Sequence, residues 1–394
     1  MRQQQAVIVS AVRTPMGSFN GIFSSVPATK LGSLAIAEAL KRIELPPDRV
    51  DDVYMGCVIS AGLGQAPARQ ASIGAGIPHS VGATTVNKVC GSSLQTAIMA
   101  SHAIALGDAR IVVAGGMESM TRAPYLLEKA RQGYRLGHGE LTDSLIKDGL
   151  WDVYNNFHMG HGGELCAAKY RLTRTEVDDF ALESYRRARE AIATGTFTRE
   201  IVPVEVAQKK GEPVVVTEDE EPNRVDLSKM RRLKPVFQDD GILTVGNSPS
   251  CNDGAAALVI MAEDEAANLG LTPLARIVDY AGAALAPEWF TIAPIEAITR
   301  VLKKTGLSIT DIDLFEINEA FSAVSLAINR ELGLDSKRVN VNGGAVALGH
   351  PIGATGARLL TTLVYAMEHH GARRGIASLC IGGGEALAMI VERP

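Results

Sequence analysis

NVNGGAVALGHPIGATG, Asn340–Gly356, is the stretch that decides how the chain is read. Gly343, Gly344, Gly349, Gly353 and Gly356 would weaken any strand or helix running through it, while the positions between them are mostly Val, Ala, Leu and Ile. A flexible surface loop would carry Ser, Asp and Lys there instead. The pattern describes backbone shaped around something small, with one histidine, His350, held in its middle and followed at once by Pro351.

Working outward, the flanks of this stretch replay an order met earlier in the chain. Gly371–Gly383 (GARRGIASLCIGG) closes a helix and leads through an apolar strand into glycines, as Gly107–Gly116 (GDARIVVAGG) does. Leu307–Asn318 (LSITDIDLFEIN) likewise resembles Leu45–Gly56 (LPPDRVDDVYMG). Both matches lie roughly 260 residues apart, a distance that implies two similar α/β halves rather than short solenoid repeats. Ala6–Ser10 reads as a first buried strand, Leu31–Arg42 as a helix, Val50–Ser60 as a strand and Ala66–Ala75 as a short helix, the alternation of an α/β fold. Gly254–Met261 returns to core-like strand composition, and Thr291–Lys303 opens a helix of the second half.

Met117–Gly246 differs in texture, with glycine-rich and aromatic stretches and one clear helix at about Arg174–Thr194. On that helix Asp178, Asp179 and Glu183 precede Arg186, Arg187 and Arg189, which reads as a solvated, ion-paired face. The expected division is a first half over residues 1–120, an inserted loop domain over 121–245, a return to the first half over 246–270 and a second half over 271–394.

Composition removes several function classes. Hydrophobic residues make up 46% and charged residues 21% of the chain, and the formal net charge is -5 with no long block of one sign. Neither disorder nor a nucleic-acid surface is indicated. The opening MRQQQAVIVSAVRTP has no long apolar run, so no signal peptide or membrane anchor is expected and the cytoplasm is the default compartment. The five cysteines are widely spaced, without a CxxC pair or zinc-like spacing, so neither a disulfide framework nor a metal site is expected. No phosphate loop or dinucleotide fingerprint stands in a strand-to-helix context.

Three positions carry the chemistry. Cys90 sits where the extended Thr84–Val89 meets an apolar helix over Ser92–Leu106, so first-turn N–H groups would favour a thiolate. His350 lies in its glycine frame, and Cys380 precedes Ile381-Gly382-Gly383-Gly384. If the halves pack as a pseudo-symmetric pair, their loops converge, and a cysteine with an imidazole suits acyl transfer because a thiolate attacks a carbonyl and leaves again readily. A second cysteine would move protons. Cys57 and Cys166 read as small buried hydrophobes, Cys251 stays open, and His102, His369 and His370 read as structural or exposed. Asn318, in Asn318-Glu319-Ala320-Phe321, either orients a water or carbonyl or caps the following helix.

Taken together, these residues closely resemble the thiolase family over essentially the whole chain. The matching pieces are VRTPMG (Val12–Gly17), NKVCGSS (Asn87–Ser93), GGMESM (Gly115–Met120), HMG (His158–Gly160), NEAF (Asn318–Phe321), NGGAVALGHPIGATGAR (Asn342–Arg358) and CIGGG (Cys380–Gly384). The resemblance implies two βαβαβαββ halves stacked as a five-layered α/β/α/β/α core with an inserted loop domain that binds coenzyme A. It implies that Cys90 is acylated by an acyl-CoA, that His350 favours its thiolate, and that Asn318 positions a water. Cys380 would return a proton to CoA and take one from the methyl of a second acetyl-CoA, while the N–H groups of Cys90 and Gly382 hold the oxyanion.

The expected activity is reversible condensation of two acetyl-CoA to acetoacetyl-CoA and CoA, with a broader degradative 3-ketoacyl-CoA thiolase as the near alternative. A nonenzymatic lipid-carrier or scaffold protein on the same core is the remote one. No permanently bound cofactor is implied; CoA and acyl-CoA are substrates, and thiolases are usually homodimers or homotetramers. His158 and Met159 match positions near the pantetheine end. The chain departs from the family at Ser93, at Pro249, where a pantetheine-holding serine would stand, and at Glu385. Ser248 or Ser250 would then compensate for Pro249, and Arg224 approximates an arginine near the adenine end.

Overall fold

The computed structural model describes residues 4–394. In the first half, β1 (Ala6–Arg13), α1 (Ala28–Lys41), β2 (Asp52–Gly56), α2 (Pro67–Gly74), β3 (Gly82–Val86), α3 (Ser92–Leu106) and β4 (Ile111–Ser119) follow one another. A long segment carrying α4 (Met159–Lys169) and α5 (Arg174–Ala193) intervenes before β5 (Asn252–Ala262). The second half repeats the order with β6 (Ala275–Ala284), α6 (Ala293–Thr305), β7 (Leu314–Ile317), α7 (Ser322–Leu332), α8 (Thr355–His369), β8 (Arg374–Ile381) and β9 (Glu385–Glu392). Its third strand is reduced to a bridge between Phe315 and Val339. The repeats read from sequence thus fall on β2 with β7 and on β4 with β8.

The strands run β7-β8-β9-β6-β1-β5-β4-β2-β3. The two halves of this sheet meet where β1 pairs with β6, at Val7 with Arg276 and Ile8 with Ala275. Alternation along β1, reset by a bulge between Ile8 and Ser10, explains why both of its faces are apolar: Ile8 and, past the bulge, Ala11 enter the core that holds α3 and α8, whereas Val7, Val9 and Val12 enter the core under α1 and α2. A third core lies between β7–β9 and α6 with α7. The core around α3 and α8 spans two interfaces and the other two cores one each, which gives the expected five layers; β4 and β5, covered on both sides, are buried along their whole length.

The central layer fixes the site. Val89–Leu106 is apolar over 18 residues with a mean hydropathy of 1.2, because α3 is enclosed between the sheets. The starts of α3 and α8 cross at Gly356, where an added Cβ would stand 2.3 Å from the Leu94 amide nitrogen. Ser93 Oγ accepts a hydrogen bond from the Ala357 N–H at 3.0 Å, satisfying a first-turn donor of the opposite half. That contact gives the departure at Ser93 a physical role.

The intervening segment is tied down by buried charge. Arg13 is fully buried and donates to Glu200 at 2.5 Å and to Asp219 at 2.6 and 2.8 Å. Removing one partner of such a group typically costs about 3–5 kcal/mol. The solvated reading of α5 needs correction at Asp178, which is buried, pairs with Arg174 and accepts from Asn247 Nδ2 at 2.8 Å, and at Arg187 and Arg189, which are half-buried and donate to the carbonyls of Val339 and of Pro222 and Val225. Asp179, Glu183 and Arg186 do form exposed ion pairs.

Candidate active site

The turn before α3 is strained. Val89 has φ 46°, a left-handed conformation costly for a β-branched residue. Ser92 holds the turn: its hydroxyl accepts from the Lys88 N–H at 2.9 Å and donates to the Val89 carbonyl at 2.6 Å. Cys90 stands at its tip, half-buried, and burial pushes its thiol up to about 11, opposed by the backbone N–H groups of Gly382 and of Cys90 itself. Cys380 is buried beside it; burial first, then the neighbouring Cys90, pushes its thiol well up.

His350 is buried, and its ring is held at both nitrogens. The Thr355 hydroxyl donates its one proton to the Pro351 carbonyl at 2.9 Å, so it meets His350 Nδ1, 2.7 Å away, with a lone pair. Nδ1 therefore carries the proton and Nε2 is the free base. Asn318 Nδ2 lies 3.4 Å from that Nε2, while Asn318 Oδ1 is buried without a hydrogen-bond partner among the described residues. Burial, and then the buried Arg358 guanidinium, push the imidazole down to about 3, so it is neutral at rest. Asn318 is not a helix cap; that place belongs to Phe321.

Two buried carboxylates hold the loops around these groups. Glu118 Oε2 accepts from the N–H groups of Val58 and Gly353, each at 3.0 Å, and Oε1 from Ile59 at 3.2 Å, which joins the glycine frame of His350 to the first half. Burial pushes its carboxyl up to about 7. Glu319 accepts from Ser184 Oγ at 2.7 Å, Asn340 Nδ2 at 3.0 Å and the Val346 N–H at 3.0 Å. Asn340 in turn pairs both backbone groups of Ile317, at 2.8 and 2.9 Å, as a neighbouring strand would.

Most of the remaining predicted residues lie at or beside two clefts. Met159 and Val89 flank Gly382, and with Trp151, Val153 and Tyr154 they border a cleft of about 220 Å³. His158 caps α4 by accepting from the Gly160 N–H at 3.1 Å and stacks on Phe237 at 5.2 Å, so its Nε2 keeps the proton. A second cleft, of about 420 Å³, is bordered by Val225, Lys229, Phe237, Ser248, Pro249 and Ser250. Ser250 Oγ bonds to Asn252 Oδ1 at 2.9 Å, and the same oxygen accepts from the His350 N–H at 2.9 Å. Ser248 Oγ is buried without a hydrogen-bond partner among the described residues. Arg224 lies outside the residues bordering this cleft and pairs with Glu220 at 2.9 Å.

Sequence reasoning missed Thr355, Glu118 and Glu319. A glutamate inside the apolar run of β4 was the available signal for Glu118, since a buried charge needs partners. Thr355 gave none, because a threonine in a turn has many uses.

The pseudo-doubled five-layer core thus sets the Cys380 thiol beside Cys90 and Asn318 against His350, on loops drawn from both halves. Residues 6–264 match the family model of the thiolase N-terminal domain and residues 271–393 that of the thiolase C-terminal domain, so the chain belongs to the thiolase family. It is 49% identical to an acetyl-CoA acetyltransferase of Schizosaccharomyces pombe over the full length of both chains. Acetyl-CoA acetyltransferase 1 of Arabidopsis thaliana is 50% identical over 100% of this chain and 95% of that protein. Among solved structures, the Acat5 thiolase of Ascaris suum in complex with coenzyme A superposes with a TM-score of 0.94 at 44% identity, covering 99% of this chain and 100% of that one. The acetyl-CoA acetyltransferase of Bacillus anthracis superposes with a TM-score of 0.97 at 41% identity, covering 99% of both.

Proposed function

We propose that this thiolase interconverts two acetyl-CoA with acetoacetyl-CoA and CoA through an acetyl thioester on Cys90. The observation that carries the reading is the close packing of the strained Cys90 turn against the Cys380–Gly382 segment, where a Cβ on Gly91 would lie 2.4 Å from Ile381 Cδ1 and one on Gly382 3.7 Å from Val89 Cγ1. Full-length similarity to acetyl-CoA acetyltransferases supports the substrate.

The chemistry follows from where protons can rest. As Cys90 attacks the thioester carbonyl of acetyl-CoA, His350 Nε2 takes its proton, and Thr355 keeps the other nitrogen in the tautomer that makes this possible. Cys380 gives its proton to the departing CoA thiolate. The Cys380 thiolate so formed removes a proton from the methyl of a second acetyl-CoA, whose enolate oxygen is held by His350 and a water on Asn318. The carbanion attacks acetyl-Cys90, and the oxyanion of that step sits on the N–H groups of Cys90 and Gly382. Collapse expels the Cys90 thiolate, which recovers its proton from His350. Every step reverses, so acetoacetyl-CoA is cleaved by CoA at the same atoms.

The pantetheine arm would pass between Met159, His158 and Phe237, and the second cleft with Lys229 and Ser248 would take the nucleotide end. Exposed Tyr125, Leu127, Leu136 and Leu141 support a homo-oligomer built through that part of the chain. Thiolysis rates with acetoacetyl-CoA and with longer 3-ketoacyl-CoA test the substrate reading. Acetoacetyl-CoA is expected to be preferred; preference for the longer chains would make the protein a broader degradative thiolase.

A further inference from the structure

The departure at Glu385 acquires a partner. Glu385 opens β9 directly after Gly382-Gly383-Gly384, and its carboxylate forms an ion pair with Lys88, two residues before Cys90 and 297 positions away in sequence. The two residues therefore stand on the two arms that supply the N–H donors: the nucleophile turn from the first half and the glycine turn from the second.

Each arm has its own freedom. The nucleophile turn is held internally by Ser92, but the glycine turn runs through Gly383 and Gly384 at φ 93° and 94°. Gly384 is fixed from below, since its carbonyl accepts from the Leu285 N–H at 2.8 Å. Gly382 and Gly383 have no side chain to fix them, and glycine has the most backbone freedom to lose. At the base the arms touch, for a Cβ on Gly91 would lie 2.4 Å from Ile381 Cδ1. At the rim the Lys88–Glu385 pair spans the gap.

We propose that Lys88 and Glu385 form an electrostatic clasp that sets the separation of the Cys90 and Gly382 N–H groups. Both are positioning residues: neither touches the reacting atoms, and both act through the backbone next to them. The inference rests on the reading that these two N–H groups hold an oxyanion during acyl transfer. The side chains are 31% and 40% exposed, so the pair is screened by salt and its effect is modest.

A simpler electrostatic role makes a different forecast. Without the clasp, Lys88→Met would leave a lone negative charge near the developing oxyanion and slow the reaction, whereas Glu385→Gln would leave a lone positive charge and speed it. The clasp requires both variants to be slower. Condensation and thiolysis would be measured for the wild type, Lys88→Met, Glu385→Gln and the exchange Lys88→Glu with Glu385→Lys, with acetyl labelling of Cys90 and thermal unfolding followed in each. The expected result is a loss in kcat of about 3- to 5-fold for each single variant, with KM nearly constant, as fits a partly exposed ion pair. The exchange should recover most of that loss, and added salt should slow the wild type more than either single variant.

A faster or unchanged Glu385→Gln enzyme, or an exchange variant no better than the single ones at equal thermal stability, would overturn the clasp. Failure of the wild type to form acetyl-Cys90 would instead sink the reading on which it rests.

Discussion

The same point of the fold is used in opposite ways by the two halves. Between β4 and β5 the first half inserts Met120–Cys251, whereas between the equivalent β8 and β9 the second half has only Gly382-Gly383-Gly384. The long connection builds clefts bordered by Met159, Phe237 and Ser248; the short one keeps two N–H donors and two thiols close together. A duplicated scaffold can thus lengthen one of two equivalent connections into a recognition segment and keep the other short beside the thiols. Substitutions around the short turn should change kcat, and those in the insert should change KM.

The sharpest way to break that division is Cys90→Ala. Turnover should fall by at least about 10⁴-fold, as removal of a covalent nucleophile does, while CoA affinity measured by calorimetry stays within about 2-fold. A large loss of affinity would place recognition on the catalytic turn as well.

Thr355→Val probes the tautomer of His350. Loss of the hydroxyl should lower kcat about 10- to 100-fold, the usual scale for a group that orients a functional imidazole, with Thr355→Ser recovering most of it. A shift confined to KM would contradict the assignment of this loop to chemistry. Phe237→Ala tests the other arm of the comparison: the ring stacks on His158 and stands 5.8 Å from Phe321, and its removal should raise KM about 10-fold with kcat nearly kept.

A further test concerns pH. Because burial raises the Cys90 thiol to about 11, the free enzyme holds it protonated at neutrality, and the thiolate fraction grows about tenfold per unit as pH rises. Alkylation of Cys90 by iodoacetamide should therefore keep rising from pH 7 to 9. No step should appear near pH 6.5, since His350, pushed down to about 3, stays neutral through that range. A plateau already reached at pH 7 would mean a resting thiolate–imidazolium pair.

Much of this was legible in the sequence for identifiable reasons. The repeat survives in turn and strand composition, so Leu45–Gly56 and Leu307–Asn318 disclosed the two halves, and the apolar Ser92–Leu106 disclosed a buried helix behind Cys90. Glycine with one histidine marked Asn340–Gly356 because few other uses explain that pattern. What stayed hidden depends on partners far away in sequence. Asp178 looked solvated because its neighbours on α5 are, yet Asn247 lies over it. Ser250 and Ser248 look interchangeable in sequence, yet Asn252 occupies Ser250, and Ser248 Oγ has no hydrogen-bond partner among the described residues. The role of Glu385 could not be read without Lys88, 297 positions away.

The most direct measurement is peptide mapping by mass after brief exposure of the reduced, folded protein to acetyl-CoA, with acid quenching. An acetyl group on Cys90 in near-stoichiometric amount, and none on Cys380, is the expected result. Acetylation of Cys380 with Cys90 unmodified, or no adduct on either while turnover proceeds, would contradict the assignment of Cys90 as nucleophile and Cys380 as the group that moves protons.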